Sequence, residues 1–303
     1  MTRPTRESEA GRAYLDLQNR ARAERRGTQE LLTLYVVERW LARLSASPHA
    51  DKFVIKGGML LAAYDARRPT ADLDALTRSI ANGPDDIVGV VSEVAQIALD
   101  DGVEYLTSTL TSHVIRDLAI YSGLRLAMDS TIATASVKFR LDANFGDPIT
   151  PAPSQVALPS LRPGFAPVRV LGYPVETILA EKIATAIALG PANTRVRDYA
   201  DIYTLTGRYA LTRRTARSAL RATAAYRGTP VQRLSEAIGE FAELRQQTFA
   251  AYRSSLGGAG LQLPADLPAV AGAVIAFADP LATDDPVEAT WHPAERLWAR
   301  LPN

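Results

Sequence analysis

The chain has 303 residues, 47% of them hydrophobic, and a formal net charge of +1, so it can bury a sizeable core in one large or two smaller domains and carries no global field that announces a polyanion partner. It has no cysteine, which excludes disulfides and thiolate metal sites, and its three histidines, His49, His113 and His292, are too scattered for a zinc site. No apolar run approaches membrane-spanning length and the N-terminus lacks an apolar signal core, so the expectation is a soluble, cytoplasmic protein with no membrane association.

Residues 7–26 are charged and Arg-rich and predict an exposed helix, and residues 28–46 predict a second helix with a broad apolar face. Phe53-Val54-Ile55 reads as a short buried strand running into Lys56-Gly57-Gly58, followed at once by a helix that Arg67-Arg68-Pro69 closes. A strand carrying Asp72 and Asp74 comes next, and 82–100 predicts an amphipathic helix. From 103 to about 145 the pattern is strand-like, most clearly in the strict alternation of Val137–Asp142. The Pro- and Gly-rich segment 146–173 reads as loops and short strands leading to a boundary. From Val175 onward the period is almost entirely helical, over 175–189, 194–207, 212–226, 230–255 and 266–279. The fold class is therefore α+β, with an α+β domain over 1–173 and an α-helical domain over 174–303.

Successive side chains of a strand point to opposite faces, so Asp72 and Asp74 share a face while Leu73 points into the core. Adjacent carboxylates repel, and a divalent cation between them reverses the sign; hard oxygen ligands of this kind suit Mg²⁺ together with substrate phosphates. The two glycines ahead of them allow a ligand close to the backbone, and free N–H groups at the start of the following helix would complete a phosphate cradle. Arg68 and Thr70 lie between the two features. Asp142 is the candidate third acid, to complete a two-metal site or to activate an attacking hydroxyl, with a solvated strand position as the alternative and Asp147 as the fallback. Only four of the 34 basic residues are lysines (Lys52, Lys56, Lys138, Lys182). Lys182 falls on the packed side of its helix, where an ammonium needs an acid partner or a phosphate. Asp198 and Asp201, three apart, share a helix face.

Lys56-Gly57-Gly58 followed by Arg68-Pro69-Thr70-Ala71-Asp72-Leu73-Asp74 resembles the opening of the AbiEii/AbiGii-type nucleotidyltransferase toxins, of the DNA polymerase β-like superfamily. Glu176–Lys182 resembles that family's helical motif ending in Glu-Lys, and Arg195–Tyr203 its later Arg-x-Lys/Arg-Asp-x-x-Asp motif. Position 71 is Ala where relatives often carry a small hydroxyl residue, and Thr70 supplies the nearest one. The resemblance implies a polymerase-β-like core with a mixed sheet, an NTP substrate, Mg²⁺ or Mn²⁺ at Asp72, Asp74 and Asp142, and a functional lysine and downstream aspartate at Lys182 and Asp198, with Asp201 second. Nucleotide contacts would come from Lys56, Gly57, Gly58, Arg68, Thr70, Lys182 and Asp201. It further implies a toxin paired with an antitoxin protein that adds nucleotides to an RNA 3′ end, the tRNA acceptor end above all; a small molecule or a protein hydroxyl is the alternative acceptor. Eight arginines between Arg195 and Arg227, opposed only by Asp198 and Asp201, form a local basic patch suited to RNA, which Arg20, Arg22, Arg25 and Arg26 could extend.

Overall fold

The computed structural model describes residues 4–78, 84–117, 121–283 and 287–300. The chain divides into two units, Met1–Gly146 with Ser154–Gly172, and Asp147–Pro153 with Tyr173–Asn303. The first unit contains, in order, α1 (Glu9–Glu24), α2 (Thr28–Ser45), β1 (Phe53–Lys56), α3 (Gly57–Leu60), β2 (Leu73–Thr77), α4 (Pro84–Ala95), β3 (Glu104–Asp117), β4 (Tyr121–Ile132), β5 (Ala135–Phe145), β6 (Ser154–Leu158) and β7 (Val168–Gly172). Its seven strands form one mixed sheet in the order β3-β4-β5-β2-β1-β7-β6. Strand β2 runs parallel to β5, and β1 parallel to β7; the other neighbours are antiparallel.

The sheet has an apolar face and a charged one, and strand alternation assigns every residue to one or the other. Phe53 and Ile55 of β1, Leu73 and Ala75 of β2, and Phe139 and Leu141 of β5 share the first face by register. Helix α2 covers it. Trp40, fully buried, meets the edge of Phe53 at 5.8 Å between ring centroids and the Phe139 ring at 5.3 Å. The same helix buries charge as well as apolar surface. Glu38, with no exposed area, accepts hydrogen bonds from the Ser160 hydroxyl (2.9 Å) and the Leu161 N–H (2.7 Å) and pairs with Arg39 (2.6 Å). Arg43 chelates Asp101 at 2.6 and 3.2 Å. Breaking such buried pairs leaves an uncompensated charge, so they fix how α2 sits on the sheet.

Several sequence expectations need correction here. Helix α1 is not simply exposed: Ala13, Leu17 and Ala21 are buried, and α1 packs on α2 and β4. The helix after Gly58 ends sooner than Pro69 requires. One α turn passes into a 3-10 turn over Leu61–Tyr64, and Asp65 then takes a left-handed φ of 53°. The helix expected over 82–100 begins at Pro84 and stops at Ala95; positions 82 and 83 lie outside the described residues. Asp72 precedes β2 rather than lying within it.

The second unit is built from α5 (Val175–Leu189), α6 (Val196–Thr206), α7 (Arg213–Arg227), α8 (Leu234–Ile238), α9 (Phe241–Leu244), α10 (Gln246–Ser255) and α11 (Leu267–Ala278), and a hairpin of β8 (Ala289–His292) and β9 (Leu297–Arg300). Helix α5 is apolar on most sides and packs against α6, α7 and α8. Helix α7 starts at Thr212, whose hydroxyl accepts from the Thr215 N–H, and stops at Gly228, left-handed at φ 61°. The single helix expected over 230–255 is three short ones: Gly239 turns the chain between the first two at φ 48° and ψ −130°, a combination closed to side-chain-bearing residues, and Arg245, at φ −109° and ψ 6°, separates the second from the third. The hairpin runs against the all-helical expectation. Trp291 and Trp298 anchor it, Trp298 stacked on Phe277 and Trp291 edge-on to it, and the Trp291 indole N–H donates to the Thr206 carbonyl at 2.6 Å. Among the described residues no helix is long and apolar enough to cross a membrane.

Candidate active site

The charged face of the sheet carries the residues singled out by the sequence. Cross-strand register sets Lys56 of β1 opposite Asp74 of β2, Asp74 opposite Asp142 of β5, and Asp142 opposite Arg125 of β4. Directly opposed residues point to the same face, and neighbouring strands lie about 4.8 Å apart, so these four side chains form one row. Two residues back along β5 comes Arg140, whose Nη1 lies 3.9 Å from Asp72 Oδ1. Lys56 and Asp142 are buried, at 7% and 9% exposure, whereas Asp72 and Asp74 are partly open.

The Gly57-Gly58 turn lies directly against this row. Gly57 adopts φ +66°, and a Cβ there would come within 2.0 Å of Asp74 Oδ2. A Cβ on Gly58 would meet the Thr70 side chain at 2.9 Å and Arg68 Nη1 at 3.1 Å. Gly57 is thus required twice, for its backbone conformation and for the approach of Asp74, and Gly58 for the approach of Thr70 and Arg68. The Thr70 hydroxyl donates to the Asp72 carbonyl at 3.2 Å, which shapes the bend into β2. Helix α3 is a single turn, too short to sum a macrodipole, so phosphate recognition here would rest on the turn's own backbone N–H groups and the nearby cations. Gly57→Ala should therefore displace Asp74 and strain the turn. The expected result is a loss of about 1–3 kcal/mol of stability together with loss of nucleotide binding, read by thermal melts and calorimetry; unaltered nucleotide binding would show that the turn is not part of the site.

Asp72 Oδ1 is buried and accepts no hydrogen bond. A buried carboxylate oxygen without a donor, beside a second carboxylate two residues on, is a fit for a hard cation. Asp142 is differently placed. The Arg125 guanidinium holds it through two hydrogen bonds, Nε–Oδ1 at 2.8 Å and Nη2–Oδ2 at 2.6 Å. That hydrogen bond, then the charge of Asp142, raises the Arg125 pKa further, with Asp72 and Asp74 adding to the effect. Among the described residues no three His, Asp or Glu side chains converge on one point. Arg125 was not foreseen from the sequence; only the β4–β5 register reveals it.

The helical unit brings together the other predicted set. Lys182 Nζ lies 2.6 Å from Asp198 Oδ1 and 2.8 Å from Asp201 Oδ2, with all three side chains largely buried. Both aspartates of the later motif thus reach the lysine of the earlier one, joining α5 to α6. Glu181, the neighbour of Lys182, pairs with Arg227 of α7 at 2.9 Å, and Arg227 also donates to the Thr185 hydroxyl. Tyr199, between the two aspartates in sequence, has its hydroxyl pKa pushed up by burial and then by the Asp198 charge. Asp147, the fallback acid, is buried and belongs to this unit.

In the expected basic patch Arg197, Arg208, Arg214 and Arg221 are exposed, and several of the arginines also tie their own unit together. Arg213 donates to the carbonyls of Pro280 and Val287, and Arg214 pairs with Glu288 at 2.6 Å. Arg213, Arg214, Arg217 and Arg221 line an open cavity of about 520 Å³ within the helical unit. At the N-terminus, Arg20 pairs with Glu24, and Arg26 with Glu24 and Glu30.

A family model described as the nucleotidyl transferase AbiEii toxin of type IV toxin–antitoxin systems matches residues 39–274. The chain belongs to the AbiEii family. The AbiEii match runs from within α2 into α11 and contains every candidate residue named above, from Lys56 to Asp201. As an AbiEii member the chain is a nucleotidyltransferase toxin, and its system implies an antitoxin partner. Two Helicobacter pylori crystal structures are similar to it at a TM-score of 0.44. One, described as a candidate nucleotidyltransferase, is 14% identical, with 84% of this chain and 96% of that chain covered. The other, JHP933, is 15% identical, with 82% and 93% covered. No curated protein matches the chain.

Proposed function

We propose that this AbiEii toxin acts in the cytoplasm by transferring a nucleoside monophosphate from an NTP to an RNA 3′ end, with the tRNA acceptor end as the target class, and thereby blocks translation. The observation that carries the proposal is the seating of the Gly57-Gly58 turn on Asp74, in a row that continues to Asp142. A triphosphate needs backbone N–H groups and cations; an attacking hydroxyl needs a carboxylate; the row offers both within adjacent strands.

In this reading the glycine turn receives the phosphates, and Lys56, Arg68 and Arg140 balance their charge. Asp72 and Asp74 would hold a divalent cation, Mg²⁺ or Mn²⁺, with Asp142 to complete the carboxylate set; when bound, the cation would neutralise charge on the transferring phosphate. The RNA 3′-hydroxyl gives its proton to Asp142 as its oxygen attacks the α-phosphorus. The bond from that phosphorus to the bridging oxygen breaks, and pyrophosphate leaves with the electron pair. Thr70 keeps the Asp72 backbone in place. The family resemblance, more than the geometry, extends the nucleotide role to Lys182, Asp198 and Asp201, whose ion triad supports at least an ordering role within the helical unit.

The experiment is incubation of the purified chain with each α-labelled NTP and total RNA in the presence of Mg²⁺ or Mn²⁺. Label is expected in RNA of tRNA size, removable by 3′-exonuclease. Label confined to protein or to small molecules would overturn the RNA acceptor and favour a protein or small-molecule hydroxyl.

A further inference from the structure

The sheet row balances its own charge in a way that bears on how the site fills. Three carboxylates, Asp72, Asp74 and Asp142, share the charged face with Lys56, Arg125 and Arg140. Arg125 grips both oxygens of Asp142 in a fork at 2.8 and 2.6 Å. Its side chain is nevertheless 46% exposed, on a β4 strand position that faces out from the apolar layer, so it can leave without opening the core. A bidentate guanidinium occupies the donor positions on a carboxylate that a hard cation would use.

We propose that Arg125 is the resting stand-in for the cation at Asp142 and, once displaced, a ligand for the phosphates of the incoming nucleotide. The inference rests on the reading of this face as the nucleotide site and adds a substrate-positioning residue to it. While Arg125 grips Asp142, the carboxylate set is incomplete and its negative charge already countered, so a divalent cation alone binds weakly. Arrival of a nucleotide supplies four negative charges, attracts the guanidinium, and frees Asp142. Cation and nucleotide therefore bind with strong mutual dependence, and Arg125 is the residue that couples them.

The test is Mn²⁺ binding followed by electron paramagnetic resonance and calorimetry, with and without the four α,β-methylene NTPs tried in turn, on the wild type, Arg125→Met, Arg125→Lys and Asp74→Asn. Circular dichroism confirms that each variant is folded. In the wild type the nucleotide analogue is expected to tighten Mn²⁺ binding by about tenfold or more. In Arg125→Met, Mn²⁺ alone should bind several-fold more tightly, the analogue several-fold more weakly, and their coupling should fall towards one. Arg125→Lys, which keeps the charge and loses the fork, should lie between. If Asp74→Asn abolishes Mn²⁺ binding while Arg125→Met leaves affinity and coupling as in the wild type, the role of Arg125 is overturned and the nucleotide site stands. If Asp74→Asn binds Mn²⁺ as the wild type does, and no analogue alters that binding, the site reading falls and this inference with it.

Discussion

Asp74→Asn should lower nucleotidyl transfer by at least about a thousand-fold, because in the proposed site it removes one of the charges on which positioning and phosphate neutralisation both depend. Asn is close to isosteric with Asp, so the Gly57 contact at this position persists sterically while the charge is lost. Asp72→Asn is the companion that separates chemistry from folding. Its side chain is 38% exposed, and its neighbour Arg140 lies at 3.9 Å, too far for a hydrogen bond. Such a change should shift stability by no more than about 0.5 kcal/mol, a melting-temperature change of about 2 °C. Loss of transfer in both variants with an unaltered melt for Asp72→Asn is the expected pair of results, measured with α-labelled NTP and by calorimetry. Full transfer by either variant would remove the carboxylate pair from the mechanism.

The second large effect belongs to the helical unit. Lys182→Met should destabilise it by about 3–5 kcal/mol, since it leaves Asp198 and Asp201 facing each other, at 8% and 4% exposure, with their shared ammonium gone. The melting temperature of that transition should fall by roughly 6–20 °C on the scale of domains this size. The triple change Lys182→Met with Asp198→Asn and Asp201→Asn should recover much of the loss, because the two carboxylates that met the ammonium are then neutral as well. A single variant as stable as the wild type would show that the triad does not hold α5 to α6. Transfer activity measured in the stability-rescued triple variant separates an ordering role from a nucleotide role: activity retained assigns the triad to architecture, and activity lost in a folded protein assigns it to the reaction.

How far the sequence speaks for this architecture depends on the range of the interaction that fixes each feature. The β1 strand and its glycine turn are local: four buried residues, then two glycines, and the structure uses both glycines for reasons their chemistry dictates. That Lys182 needs a counter-charge is also legible, since an ammonium sits on a packed helix face; the sequence leaves open whether an acid or a phosphate supplies it, and the structure places both Asp198 and Asp201 on it. The parallel docking of β7 beside β1 was not legible, because strand periodicity says nothing of which strand lies next to it. The same holds for Arg125 on Asp142, a contact 17 residues apart that exists only because β4 and β5 pair in one particular register. Strands β8 and β9 have four residues each, too few to show a period, and their stability comes from Trp291 and Trp298 on Phe277, not from local propensity. The arginines of α7 divide by environment, which composition does not reveal: Arg213 and Arg227 bind carbonyls and a carboxylate of their own unit, whereas Arg214, though paired with Glu288, and Arg221 stay exposed.

The most direct measurement of the central claim is a crystal structure of the full chain soaked with Mn²⁺ and an α,β-methylene NTP. An anomalous peak bonded to Asp72 and Asp74, with the triphosphate against the backbone of Gly57 and Gly58, is the predicted result. A nucleotide bound elsewhere, or a metal peak that leaves both aspartates untouched, would contradict the account.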